Sequence, residues 1–187
     1  MRSTLLLFAL ALASSMPVVA TEVVPMPGFR SVELRGGGVV TVVPGPAQRV
    51  MIVEGSSQFT RMRVDRNGQL RIDTCNEQCP HLYRLRVEIQ SPRVPDLAIA
   101  GGGIIATANG FGPQSNLSVA INGGGKIDAR SVVAGSVSGA VNGGGELAVR
   151  PSGTLSAAVN GGGHVRYCGS PAVTMAVHGG GAVSPGC

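Results

Sequence analysis

Cysteine, histidine and the scarce carboxylates are the residues here whose chemistry could be specific. Cys75 and Cys79 are followed at once by Pro80 and His81. Two thiolates and an imidazole at that spacing could begin a zinc site, but a closed site needs a fourth ligand and none stands nearby. Cys168 and Cys187 lie 19 positions apart. Four cysteines in an exported chain read as two disulfides, with three connectivities open. The pairing Cys75–Cys79 and Cys168–Cys187 is expected, because 19 residues is about one unit of the repeat described below. Residues one unit apart can come within bridging distance.

Other constellations fail on their own chemistry. His164 and His178 have no partner that spacing would place beside them, so no nucleophile–base pair is read. Gly135-Ser136-Val137-Ser138-Gly139 has valine where a nucleophile elbow needs its serine. The glycine triplets are not followed by Gly-Lys-Ser/Thr and open no helix, so they are not phosphate cradles. Calcium-binding nonapeptides need an aspartate after each turn, and beyond Asp128 the matching places hold Ala148, Arg166 and Ser184. A polysaccharide-cleaving site needs paired carboxylates; Asp128 and Glu146 are the only acids beyond residue 96 and fall in different columns of the repeat. The reading is of no catalytic residue, no metal and no cofactor.

Composition limits what could position such groups. The chain has 187 residues with 29 Gly, 12 Pro, no Trp and only 3% aromatics. That is too few large rings for an ordinary core or for the stacking platforms of a single-strand nucleic-acid binder, so nucleic acid is not expected as a partner. Charged residues amount to 13%, which excludes a disordered polyelectrolyte. Fourteen Arg stand against a single Lys, and ten of them lie between Arg30 and Arg93. Runs such as Val32-Glu33-Leu34-Arg35 and Arg84-Leu85-Arg86-Val87-Glu88-Ile89 alternate apolar with charged. They read as strands with one buried face and one solvated face.

Arg2, the apolar run Leu5–Ala13 and Val18-Val19-Ala20 form a secretory signal pattern over residues 1–20, with cleavage after Ala20 and Ala13 as the alternative. The run is too short to span a bilayer, and no later stretch approaches twenty apolar residues. An exported protein, periplasmic or at the cell surface, is expected. Residues 21–28 read as a linker and 29–187 as one domain.

A repeat decides the fold. Glycine triplets begin at Gly36, Gly101, Gly123, Gly143, Gly161 and Gly179, and the last five are 22, 20, 18 and 18 residues apart. Aligned on them, Ile121, Val141, Val159 and Val177 form one core column. Asn122, Asn142, Asn160 and His178 form another, where amides could hydrogen-bond as a corner ladder. Each unit reads as strand, glycine bend and strand. One unit cannot bury its apolar face alone, whereas stacked copies can. The expectation is an all-β chain, a right-handed parallel β-helix of about 18–22 residues per rung, regular over 95–187. Residues 29–94 are either irregular rungs continuous with it, the favoured reading, or a β cap with a hairpin turn at Asn67-Gly68.

These features resemble the putative auto-transporter adhesin, head GIN domain family. The resemblance lies in Phe29-Arg30-Ser31-Val32, Asn67-Gly68-Gln69-Leu70-Arg71-Ile72, the recurring glycine bends, and Gly163-His164-Val165-Arg166-Tyr167-Cys168-Gly169-Ser170-Pro171. It extends over essentially the whole mature chain. It implies a right-handed β-helix and a cell-envelope or adhesion role. The expected function is a non-catalytic, adhesin-like binding module that holds a glycan or protein ligand against a flat, low-charge β face. The alternatives are a self-assembling homo-oligomer joined through terminal strands, or a β-helix polysaccharide-cleaving enzyme.

Overall fold

The structure, a computed structural model, describes residues 21–187; the expected signal peptide lies outside them. The described chain is all-β, with fifteen strands joined in one sheet. These are β1 (Glu22–Val24), β2 (Ser31–Gly36), β3 (Val39–Pro44), β4 (Arg49–Glu54), β5 (Arg61–Val64), β6 (Gln69–Asp73), β7 (Arg86–Ser91) and β8 (Asp96–Gly101). There follow β9 (Ile104–Thr107), β10 (Gln114–Gly123), β11 (Lys126–Gly143), β12 (Glu146–Asn160), β13 (His164–Tyr167), β14 (Ala172–His178) and β15 (Ala182–Pro185).

From β8 onward the units lie over one another in parallel register. Ile99, Ile121, Val141, Val159 and Val177 pair in succession. On the far side of the glycine bends, Ile105, Ile127, Leu147, Val165 and Val183 do the same. Alternation along each strand turns these side chains inward, and all but the last of each file are buried. A fully buried Val, Leu or Ile is worth roughly 1.5–3 kcal/mol, so the two files carry much of the stability. The expected core column therefore exists in register, but its last member, Val177, is 38% exposed at the edge of the described stack.

The first half departs from a purely parallel stack. β1 runs antiparallel to β4, β4 to β7, and β5 to β6, so the sheet is mixed. The hairpin at Asn67-Gly68 sets Met62 opposite Ile72 and Val64 opposite Leu70. Asp65 Oδ1 accepts from the backbone of Asn67 (2.8 Å) and Gln69 (3.1 Å), and Gly68 takes a positive φ. Order in space also departs from order in the chain. The β2–β3 unit lies between β6–β7 on one side and β8–β9 on the other. Within residues 29–94 the units are therefore stacked in an interleaved rather than a sequential order. Reversal at the hairpin brings β6 back along the free side of β2, and the regular half grows from the opposite side. Leu34 and Ile72 consequently extend the Ile99 file. The stretch 21–28, expected as a linker, contributes β1.

Glycine is required at two of the three triplet positions, for different reasons. The first has positive φ, as at Gly143 (118°), where an added Cβ would meet the Gly123 carbonyl oxygen at 2.6 Å. At the third, Gly145, a Cβ would stand 2.6 Å from Ile121 Cγ2 and 2.8 Å from the Gly125 oxygen. At the middle position, Gly144, it would meet nothing within 4 Å.

Candidate functional site

The strand alternation that sends Leu117, Val119 and Ile121 inward sends Asn116, Ser118, Ala120 and Asn122 outward, and the parallel register repeats that choice. The first outward row is Asn116, Ser136, Thr154 and Ala172. The second is Ser118, Ser138, Ser156 and Thr174. The third is Ala120, Ala140, Ala158 and Ala176, and the fourth is Asn122, Asn142, Asn160 and His178. Neighbouring strands lie about 4.8 Å apart, and alternate residues on one strand about 6.6–6.8 Å apart. The result is a grid of hydroxyl, methyl and amide groups. It carries no carboxylate, ammonium or guanidinium, and its side chains are short except for the His178 imidazole at the end of the fourth row.

Local hydrogen bonds hold the grid in place. Asn142 Nδ2 donates to Asn122 Oδ1 and Asn160 Nδ2 to Asn142 Oδ1, both at 2.9 Å. His178 stands in register beside Asn160. Thr154 Oγ1 donates to Ser136 Oγ at 3.0 Å. Asn142 both donates and accepts along the stack, whereas Asn122 accepts and Asn160 donates, which fixes the amide orientations and leaves their remaining donor and acceptor capacity free. Reading by columns reaches the asparagines but passes over the serine rows. Their signal is the recurrence of Ser-x-Ala-x-Asn at 118–122, 138–142 and 156–160.

On the other side of the glycine bends the outward residues include charged ones. Lys126 Nζ lies 2.9 Å from Glu146, and Arg130 Nε donates to Asp128 at 2.9 Å. Asp128 pairs in register with Ala148, and Glu146 with Lys126 and His164, so the two acids do not meet as a register pair. The Arg130 hydrogen bonds hold the Asp128 carboxyl below its usual range, and Lys126 does the same for Glu146. A general acid needs its proton held more tightly, not less. Asp128 and Glu146 are therefore partners in ion pairs.

Cys75–Cys79 and Cys168–Cys187 are both disulfides, the connectivity expected. With their thiols joined, Cys75 and Cys79 offer no thiolate beside His81. No helix among the described residues is long and apolar enough to cross a membrane.

Residues 106–171 match the sequence model of the family described as putative auto-transporter adhesin, head GIN domain. This is the family the sequence resembles, and the match lies within the regular half of the chain. Among solved structures, a putative adhesin from Bacteroides fragilis is similar with a TM-score of 0.52 at 17% identity, over 89% of this chain and 96% of that one. That likeness is one of fold. A putative adhesin from Parabacteroides merdae is 14% identical with a TM-score of 0.41, over 90% of this chain and 96% of that one. A putative lipid binding protein from Parabacteroides distasonis is 15% identical with a TM-score of 0.38, over the same shares. No curated protein matches this chain.

Proposed function

We propose that this chain is a non-catalytic, exported protein of the cell envelope, an adhesin-like module that holds a surface ligand against its uncharged face. The observation that carries this reading is the in-register grid of Ser, Thr, Ala and Asn on β10, β11, β12 and β14. Its chemistry suits many weak contacts: hydroxyls and amides exchange hydrogen bonds, and the alanine row offers methyl groups to the apolar face of a sugar ring or a side chain. No single contact dominates, so affinity grows with the number of rungs engaged. A ligand with its own repeat, such as a glycan chain, would gain most.

The architecture we infer is a right-handed parallel β-helix with an antiparallel, interleaved beginning. Parallel pairing from each unit to the next supports it, and the strong preference for right-handed crossovers gives the hand. Two disulfides support export, since such bonds persist in oxidising compartments. Ion-paired Asp128 and Glu146 favour binding over glycan cleavage.

The test is a glycan array, followed by titration of the best glycan with Ser138→Arg and Ala140→Arg. Each variant plants a long charged side chain in the grid and should weaken binding at least tenfold. Arg166→Gln, on the charged side, should leave it unchanged. Binding unaffected by both grid variants, or turnover of the glycan, would overturn the reading.

A further inference from the structure

The arginines of the first half fall into two groups. Those on strands are largely engaged by carboxylates: Arg35 and Arg63 with Asp73 (3.7 and 3.1 Å), Arg71 with Glu33 and Asp65 (3.2 and 3.4 Å), and Arg86 with Glu54 (3.7 Å). Arg30, Arg49, Arg61, Arg66, Arg84 and Arg93 are exposed and form no ion pair among the described residues; of these, Arg30, Arg66 and Arg93 stand in the segments just before β2, β6 and β8. The interleaved strand order gathers them, because the segments leading into β6, β2 and β8 are neighbours in space although distant in sequence.

Arg30 and Arg93 line an open groove of about 480 Å³, and Arg30 and Arg66 line a second of about 430 Å³ beside it. The groove walls are pinned. Gln48 accepts from Phe29 N (3.0 Å) and donates to Phe29 O (2.6 Å), holding the entry to β2. Gln114 accepts from Val94 N (3.2 Å), holding the segment that crosses to β8. Arg30 Nε donates to the Asn67 carbonyl at 2.9 Å, which orients the guanidinium while its terminal nitrogens stay free. One carboxylate shares the lining, Asp96, and its Oδ1 already accepts from Ser118 N at 2.9 Å.

We propose that this paired groove is an anion site for an acidic polysaccharide, adjoining the uncharged face at Asn116 but independent of the function proposed for that face. Guanidinium groups bind carboxylates and phosphates through paired, charge-assisted hydrogen bonds. The Asn116 amide and the Ser115 hydroxyl suit sugar hydroxyls, and exposed Pro92 supplies apolar surface for a ring face. Three positive charges in adjacent grooves, none of them in an ion pair among the described residues, suit a ligand that carries anions along its length rather than a single small ion.

The probes are oligogalacturonide, its methyl-esterified counterpart, and a phosphate-bearing teichoic-type polymer, titrated into the purified protein by calorimetry. Oligogalacturonide should bind, the neutral ester at least tenfold more weakly, and added salt should weaken the acidic ligand. Response to the phosphate polymer reports whether the site takes both oxyanions or carboxylate alone; each outcome keeps an anion site. Arg30→Gln and Arg93→Gln change exposed residues and should each cost about tenfold, with Arg150→Gln silent. Ser138→Arg should not weaken this binding, which separates it from the uncharged face. No binding of either anionic polymer, equal binding of the ester, or indifference to both arginine changes would overturn the proposal.

Discussion

At the residue scale, one triplet contains three unlike glycines. Gly143 is held by its left-handed backbone, Gly145 by the Ile121 side chain and the carbonyls packed against it, and Gly144 by neither. Gly145→Ala should therefore cost about 1–3 kcal/mol, because its Cβ must displace a buried isoleucine methyl and a carbonyl. Gly144→Ala should be neutral or stabilising by about 0.4–1 kcal/mol, since it removes freedom mainly from the unfolded chain. Urea unfolding of the two variants checks this, and equal destabilisation would refute the distinction. The same scale settles the acids. Asp128 and Glu146 look available in the sequence, yet each faces a cation within hydrogen-bonding range.

At the scale of elements, the last strands depend on a covalent clasp. Among the described residues β14 pairs only with β12 and β15 only with β13, and their inward positions include Met175, 60% exposed. The Cys168–Cys187 bridge ties the end of this rung back to the end of β13. Closing a loop of that length is worth about 3 kcal/mol on a chain-entropy account. Cys168→Ser with Cys187→Ser should accelerate hydrogen exchange across β14 and β15 by about two orders of magnitude while β8 and β9 stay protected. Exchange at β14 that does not change would show that strand pairing alone suffices. The Cys75–Cys79 bridge occupies a different place. It lies in residues 74–85, where the β6–β7 unit has a longer connection instead of three glycines.

For the whole molecule, the place of a unit in the stack sets the value of its side chains. Ile121 and Val177 occupy one column, but Ile121 is fully buried between Ile99 and Val141 whereas Val177 has a neighbour on one side. Ile121→Ala should cost about 2–5 kcal/mol, as cavity-forming changes in a core do. Val177→Ala should cost less than about 1 kcal/mol, in the range of exposed substitutions. Thermal unfolding of both variants measures the contrast, and a Val177 effect equal to that of Ile121 would mean that further material covers the edge. The interleaving of β2–β3 between β6–β7 and β8–β9 works at this scale too: it joins the irregular half to the regular half through one continuous core and gathers Arg30, Arg66 and Arg93 at one edge.

The sequence alone determined whatever repeats. The glycine triplets, the Ile121 column, the Asn122 ladder and the Cys168–Cys187 pairing follow from a spacing of 18–22 residues, because stacking in register turns an interval along the chain into contact in space. The Asn67-Gly68 turn was legible for a local reason, its backbone chemistry. Tertiary structure decided what depends on direction and neighbour. Nothing within residues 29–94 states that β6 returns to the far side of β2. That choice follows from a hairpin reversal and from which edge of the first unit is still free, and both are known only once the strands have met. Between Gln90 and Ala100 the chain passes from β7 on one side of that unit to β8 on the other. Pairing of the charges was likewise decided in three dimensions, since an arginine's nearest carboxylate here often lies on another strand.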